Sequence, residues 1–94
     1  MAVIGVLTLE LRLENSHSLK DKRHVVQSLK DRLRSKFNVA VAEIDCQDLW
    51  QRGVVAAVTV SNDHVFAEKV LRSVEDEAAA ILGGELVDST VEWL

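Results

Sequence analysis

The sequence predicts an α+β fold in which a four-stranded antiparallel sheet carries two helices on one face. Two segments have the apolar periodicity of helices, four have the alternation or apolar runs of strands, and their order is β-α-β-β-α-β. Two right-handed β-α-β crossovers interleaved in that order place the first and third strands in the middle of the sheet. A chain of 94 residues suffices for one such domain, spanning 1–94, with one hydrophobic core.

The first strand and the first helix show both periodicities clearly. From Val3 to Leu13 every odd position is apolar or glycine, while the even positions change from apolar to polar. Ser18 is the predicted N-cap of the first helix, with Asp21 three residues later as a short-armed capping box. The apolar stripe of this helix is wide enough to face a core and consists of Leu19, Val25, Val26, Leu29, Leu33 and Phe37.

The second half of the chain supplies the remaining four elements. A strand alternates from Val39 to Gln47, and another, apolar on both faces as a central strand is, runs from Val54 to Ser61. The last strand occupies residues 85–94, and the charges of the second and fourth strands are typical of edge strands. The second helix ends at Gly83-Gly84 and is predicted to bury Phe66, Val70, Val74, Ala78 and Ile81, with Ala67, Leu71 and Leu82 beside them. We therefore expect a ferredoxin-like βαββαβ sandwich.

Composition indicates a globular cytoplasmic protein. Apolar residues make up 48% of the chain and charged residues 28%, which excludes disordered and membrane-embedded classes. The one cysteine, Cys46, cannot form an internal disulfide, as expected in a reducing compartment. The apolar opening from Met1 to Leu9 has no basic leader or cleavage site and continues into Glu10, so it is predicted to be a strand and not an export signal.

The first helix is a basic segment of an otherwise acidic protein. Residues 19–36 contain seven basic and two acidic side chains, so the rest of the chain carries −9 against an overall net charge of −4. One flank of the helix groups Lys20, Arg23, Lys30 and Arg34. This flank would either follow a phosphate backbone or be a solvated helix face. Cations at the helix N-terminus oppose the helix dipole, so local stability does not explain them.

Two further features of the sequence each have two alternative interpretations. Lys22 projects close to the apolar stripe, where its ammonium would reach solvent or meet a carboxylate. In the polar connection from Gln47 to Arg52, Trp50 and Arg52 are of the types that anchor protein partners or stack on bases. Alternatively, Leu49 and Trp50 fold back on the sheet edge while Asp48 and Arg52 pair.

The sheet face turned away from the helices is predicted to be apolar at one end. Its predicted members are Ile4, Val6, Thr8, Val39, Val41, Val55, Ala57 and Thr59. Because soluble monomers rarely leave such a patch exposed to water, we expect a homo-oligomer, a dimer formed through this face with Val6 and Val41 in the contact.

Catalysis is the least supported class of function. His17, His24 and His64 lack the spacing of metal ligands, and no nucleophile elbow or phosphate-cradling glycine loop occurs, so no metal, cofactor or catalytic residue is predicted. Neither the G-x-x-G loop of KH domains nor the aromatic platform of RNA-recognition motifs is present, so RNA would have to bind the basic helix. A non-catalytic RNA- or ribosome-binding module and a homo-oligomer without a nucleic-acid role therefore remain, and neither involves a membrane.

Two six-residue blocks resemble a known family. Ser18-Leu19-Lys20-Asp21-Lys22-Arg23 resembles the SLKEKR signature of the YlxP-like family, small bacterial proteins of unknown function. The resemblance continues through Gln47-Asp48-Leu49-Trp50-Gln51-Arg52 and to Glu92-Trp93-Leu94 at the end. It implies a ferredoxin-like fold and a gene setting among translation initiation and ribosome maturation genes, but no catalytic residues. Asp21 stands where the family usually has glutamate.

Overall fold

The computed structural model describes residues 1–94 and has the predicted order of elements. The strands are β1 (Val3–Arg12), β2 (Ala40–Asp45), β3 (Arg52–Ser61) and β4 (Leu86–Trp93), and the helices are α1 (Leu19–Lys36) and α2 (His64–Leu82). A short 3-10 turn, Gly83–Glu85, joins α2 to β4. The sheet has the order β2-β3-β1-β4 with every neighbouring pair antiparallel, and both helices cover one face. This confirms the ferredoxin-like fold with β1 and β3 in the centre.

The N-terminus of α1 is capped by Ser18, as predicted. The Ser18 hydroxyl oxygen accepts a hydrogen bond from the Asp21 backbone N–H at 3.1 Å. The Asp21 carboxylate in turn accepts from the N–H of His17 at 3.1 Å, one residue before the cap and not from the cap itself. Ser18 therefore caps the helix, and the Asp21 carboxylate is occupied by the residue before the cap.

The core of α2 differs from the predicted row. The residues it buries are Ala67, Leu71, Val74, Ala78 and Leu82, whereas Phe66 is 58% exposed. Apolar residues cover more of this helix than one face can bury, so periodicity alone did not identify the inward row. The row that includes two alanines faces inward because α2 lies close to the sheet, with Leu71 packed directly over Gly5 of β1.

The strand register corrects the predicted composition of the open face. Directly opposed residues of antiparallel strands share a face. Val41 pairs with Ala57, and Ala57 pairs with Leu7, which lies in the core beneath the helices. Val41 is accordingly only 8% exposed, so the prediction that it contacts a partner is wrong. The helix-covered side also holds Val55 and Thr59, and Val39 packs against the core.

The open face is nevertheless apolar at one end. Val6 lies on it as predicted, and it is joined there by residues of β2 and β3 that pair in register with the even positions of β1. The apolar members are Ile4, Val6, Ala40, Ala42, Val54, Ala56, Val58 and Val60. Glu10, Arg12, Arg52 and Asp88 make the opposite end charged. The sheet therefore presents an apolar and a charged half on its uncovered side.

Candidate functional site

Lys22 of α1 is fully buried, with a side-chain exposure of 0%. Its Nζ lies 2.6 Å from Oε2 of Glu43 on β2. The same ammonium donates to the backbone carbonyls of Cys46 at 2.5 Å and Gln47 at 3.3 Å. The ammonium thus has two hydrogen-bonded carbonyls and one ion-pair partner, and a buried charge needs such partners to be tolerated. Of the two expectations for Lys22, the meeting with a carboxylate is the one observed.

The two carbonyls that Lys22 holds belong to the loop between β2 and β3. Cys46 has φ of 62°, in the left-handed region, and its N–H donates to the Asp45 carboxylate at 2.8 Å. Its carbonyl also accepts from the N–H of Leu49 at 3.1 Å. The left-handed conformation is unfavourable for a residue with a side chain, and these hydrogen bonds offset it. The loop therefore has one defined shape, fixed against α1.

A second set of contacts ties the same loop to the segment that precedes α1. The Gln51 side-chain amide donates to the carbonyls of Glu14 and Ser16, both at 3.3 Å. The Gln51 carbonyl accepts from the N–H of Leu13 at 2.9 Å. The structure thus brings together the two six-residue blocks that stood out in the sequence, 18–23 and 47–52. We call the surface formed by residues 13–18, the first turns of α1 and residues 46–51 the loop end.

Three of the four predicted phosphate-binding residues share one depression. Lys20, Arg23 and Lys30 line a shallow concave surface of 790 Å³ beside Gln27 and Glu43. None of the three cations forms a salt bridge. The depression therefore offers three uncompensated positive charges along one side of α1.

Arg34, the fourth predicted contact, has a different environment. It lies outside the depression, and its guanidinium contacts the Asp31 carboxylate at 2.8 Å. Hydrogen bonds from Arg34 and Gln27 hold the pKa of Asp31 below its usual value. Arg34 is thus a local ion-pair partner, which the i,i+3 spacing of Asp31 and Arg34 could have indicated.

The other flank of α1 is neutralised by α2. Lys36 Nζ and Arg32 Nε lie 2.6 Å and 3.0 Å from the two carboxylate oxygens of Glu77. Hydrogen bonds from Lys36 and then Arg32 lower the pKa of Glu77. On this flank the basic residues join the two helices through Glu77. Lys20, Arg23 and Lys30, in contrast, have no acidic partner.

Trp50 is exposed at the tip of the loop end. Its residue exposure is 53%, and that of Leu49 is 47%, so the alternative in which both fold back on the sheet edge is wrong. Asp48 and Arg52 form no ion pair. They line, with Leu49, Trp50 and Gln51, a second shallow depression. Trp50 and Arg52 are therefore available to a partner on the surface.

Two further properties of the structure concern membranes and metal ions. Neither helix combines the length and the apolar character that crossing a membrane requires. No group of three or more His, Cys, Asp or Glu side chains is arranged to hold a metal ion.

Comparison with known proteins identifies the family. A sequence model described as a protein of unknown function, DUF503, matches residues 4–91. The chain belongs to the DUF503 family. This chain is also similar to the uncharacterized protein YlxP of Bacillus subtilis strain 168. The two sequences are 39% identical over 72 residues, which cover 77% of this chain and 78% of that protein. The resemblance seen in the sequence is thereby confirmed.

Solved structures agree with the fold of this DUF503 protein. The de novo designed protein Foldit4 superposes with a TM-score of 0.61 at 12% identity, over 100% of this chain and 97% of that one. A dimeric ferredoxin-like protein of unknown function from Thermobifida fusca YX superposes with a TM-score of 0.51 at 16% identity, over 97% and 90%. At these identities the likeness shows the fold alone.

Proposed function

We propose that this protein is a cytoplasmic, non-catalytic module that binds RNA, either ribosomal RNA or a ribosomal particle, through Lys20, Arg23 and Lys30. The observation that carries the proposal is that these cations share one depression and have no acidic partner, whereas Arg32, Arg34 and Lys36 of the same helix are paired. Among the cations of α1, these three are therefore the ones free to contact an anion.

The acidic groups nearest the depression do not cancel its charge. Glu43 lines it, but one of its carboxylate oxygens is buried against the Lys22 ammonium. Asp21 also lines it, and its carboxylate accepts from the His17 backbone. Outside residues 19–36 the chain carries −9, which repels polyanions. Binding is therefore confined to this side of α1.

Salt dependence tests this proposal. If three phosphates are neutralised, log affinity for RNA should fall against log salt with a slope of about −2 to −3, because each contact releases roughly 0.7 to 0.9 counterions. The double variant Arg23→Glu, Lys30→Glu should bind weakly at every salt concentration and for every sequence alike, since phosphate contacts do not discriminate bases. Filter binding or fluorescence anisotropy with ribosomal RNA fragments measures both quantities.

The matched control changes the net charge equally on the other helix. Lys69→Glu with Arg72→Glu alters exposed cations of α2 and should leave the slope unchanged. An equal loss of affinity in this control, or no association of the wild-type protein with RNA at low salt, would contradict the proposal.

The open face supports a second proposal, a homodimer. Its apolar end, with Ile4, Val6, Val58 and Val60, is covered by no element of the chain, and soluble monomers seldom expose such patches. A two-fold contact uses the same patch twice and is self-complementary. The protein from Thermobifida fusca, which shares this fold, is itself described as dimeric. The depression on α1 lies on the other layer and would stay accessible.

Light scattering of variants tests the dimer. Val6→Asp should give a folded monomer, because its side chain lies on the open face and a two-fold contact would bury the charge. Val65→Asp, which places the same charge on an exposed apolar position of α2, should remain dimeric. Val41→Asp is unsuitable because Val41 is in the core. A wild-type protein that is monomeric at tens of micromolar, roughly where modest interfaces persist, excludes this proposal.

A further inference from the structure

We infer that the RNA recognised here is single-stranded, with an unpaired base stacked on Trp50 while Lys20, Arg23 and Lys30 hold the adjoining phosphates. This inference rests on the proposed function and names its ligand class. It follows from three properties of the loop end: the exposure of Trp50, the attachment of its loop to α1, and the distribution of charge around it.

The position of the loop is set by the helix that carries the cations. Lys22 lies in the same turn of α1 as Lys20 and Arg23, and its ammonium holds the carbonyls of Cys46 and Gln47. At the other end of the loop, a Cβ added at Gly53 would lie 3.5 Å from Lys22 Cε, so the Lys22 side chain passes near that position as well. Trp50 therefore stands on a loop that is held by α1, the helix that carries the cations, and Lys22 acts as a positioning residue.

The two surfaces suit different parts of a nucleotide: the cations of α1 suit phosphates, and Trp50 suits a base. Along α1, Lys20 and Lys30 are separated by about 15 Å of helix, which spans several consecutive phosphates of one strand. In the second depression, Trp50 offers an aromatic face in surroundings without net charge, because Asp48 and Arg52 both line it. The two opposite charges give a phosphate no net attraction there, whereas the neutral π-face of a base is free to stack on the indole. A strand lying along α1 would thus turn a base, not its backbone, toward Trp50.

A duplex and a protein partner fit this arrangement less well. In a duplex the bases are stacked on each other and cannot reach an aromatic side chain, so Trp50 would contribute nothing. A protein partner anchored by Trp50 would favour an apolar surround, whereas Asp48, Gln51 and Arg52 line the depression together with Leu49. The uncompensated cations nearby favour a polyanion.

Comparing single-stranded with duplex RNA tests the inference. We expect a 12-nucleotide oligouridine, which has no structure of its own, to bind more tightly than a 12-base-pair RNA duplex at equal salt. Trp50→Ala should weaken oligouridine binding by about tenfold to a hundredfold, the range for loss of one stacked base, and leave duplex binding unchanged. In a Trp93→Phe background, Trp50 is the only tryptophan, and its emission should be quenched by oligouridine.

The controls separate this inference from the proposed function. Asp48→Asn changes the same loop and should bind oligouridine at least as well as wild type, because a like charge is removed. Equal effects of Trp50→Ala on both RNAs, or unchanged Trp50 emission, overturn the inference, while loss of binding in Arg23→Glu, Lys30→Glu upholds the proposed function. Absence of binding to either RNA overturns both. Emission that responds to ribosomal proteins and not to oligouridine overturns the inference in favour of a protein partner.

Discussion

Lys22→Met is expected to destabilise the protein by about 3–5 kcal/mol, the usual loss when one partner of a buried ion pair is removed. Methionine fills much the same volume but cannot donate. The carboxylate oxygen of Glu43 is then buried without a cation, and the carbonyls of Cys46 and Gln47 lose their donor. Urea unfolding followed by circular dichroism measures the change in the free energy of unfolding.

Two further variants isolate the cause of this loss. Lys20→Met alters a lysine two positions away that has no acidic partner, and should change stability by no more than about 0.5 kcal/mol. Lys22→Met combined with Glu43→Leu removes both charges and should recover a substantial part of the loss, because an apolar pair can replace a buried ion pair. If Lys22→Met were as stable as Lys20→Met, the Lys22 ammonium would have to be in solvent.

Gly5→Ala is expected to cost about 1–3 kcal/mol, the range for overpacking a core. A Cβ at Gly5 would lie 2.6 Å from Cζ3 of Trp93 and 2.7 Å from Cδ1 of Leu71. The Leu71 methyl is the end of a flexible side chain, but the indole is rigid and packs against His64 in a tilted arrangement, with the ring centroids 4.2 Å apart. The melting temperature, compared with that of the wild-type protein, measures the effect.

A second glycine provides the matched control for Gly5. Gly84→Ala adds the same methyl group where nothing lies within 4 Å, so the melting temperature should not fall. Replacing Trp93 by valine removes the rigid obstacle, and Gly5→Ala should cost less in that background than in the wild type. An equal cost in both backgrounds would mean that the Trp93 ring is not what excludes a side chain at Gly5.

The fold could be predicted from the sequence because most elements have one polar and one apolar side. In β1 the polar residues Thr8, Glu10 and Arg12 mark the outer face, so its odd residues were correctly placed under the helices. In β3 both faces are apolar, so the sequence does not indicate which residues face the helices and which face the open side of the sheet. Only pairing with β1 defines which side Ala57 occupies, and the misplacement of Val41 follows from that.

The sequence predicted those parts of the candidate site that follow from the spacing of charged residues along one helix. It did not predict the contacts made with residues that are distant in the sequence. Helical spacing alone groups Lys20, Arg23 and Lys30. The neutralisation of Arg32 and Lys36 by Glu77 requires knowledge of how the helices pack, since Glu77 is 41 residues beyond Lys36. The burial of Lys22 depends on two carbonyls in a distant loop, and carbonyls occur at every residue. No sequence pattern could identify them as its partners.

The ammonium of Lys22 makes the β2–β3 loop depend on α1 for its stability. A surface loop ordinarily opens alone, at little cost, and its amide protons exchange with solvent quickly. Here opening would withdraw two carbonyls from a buried charge and leave that charge with Glu43 only. Opening of the loop therefore costs more than that of an ordinary surface loop, and we expect its amide protons to exchange correspondingly more slowly. Two segments distant in sequence are linked in this way through one side chain.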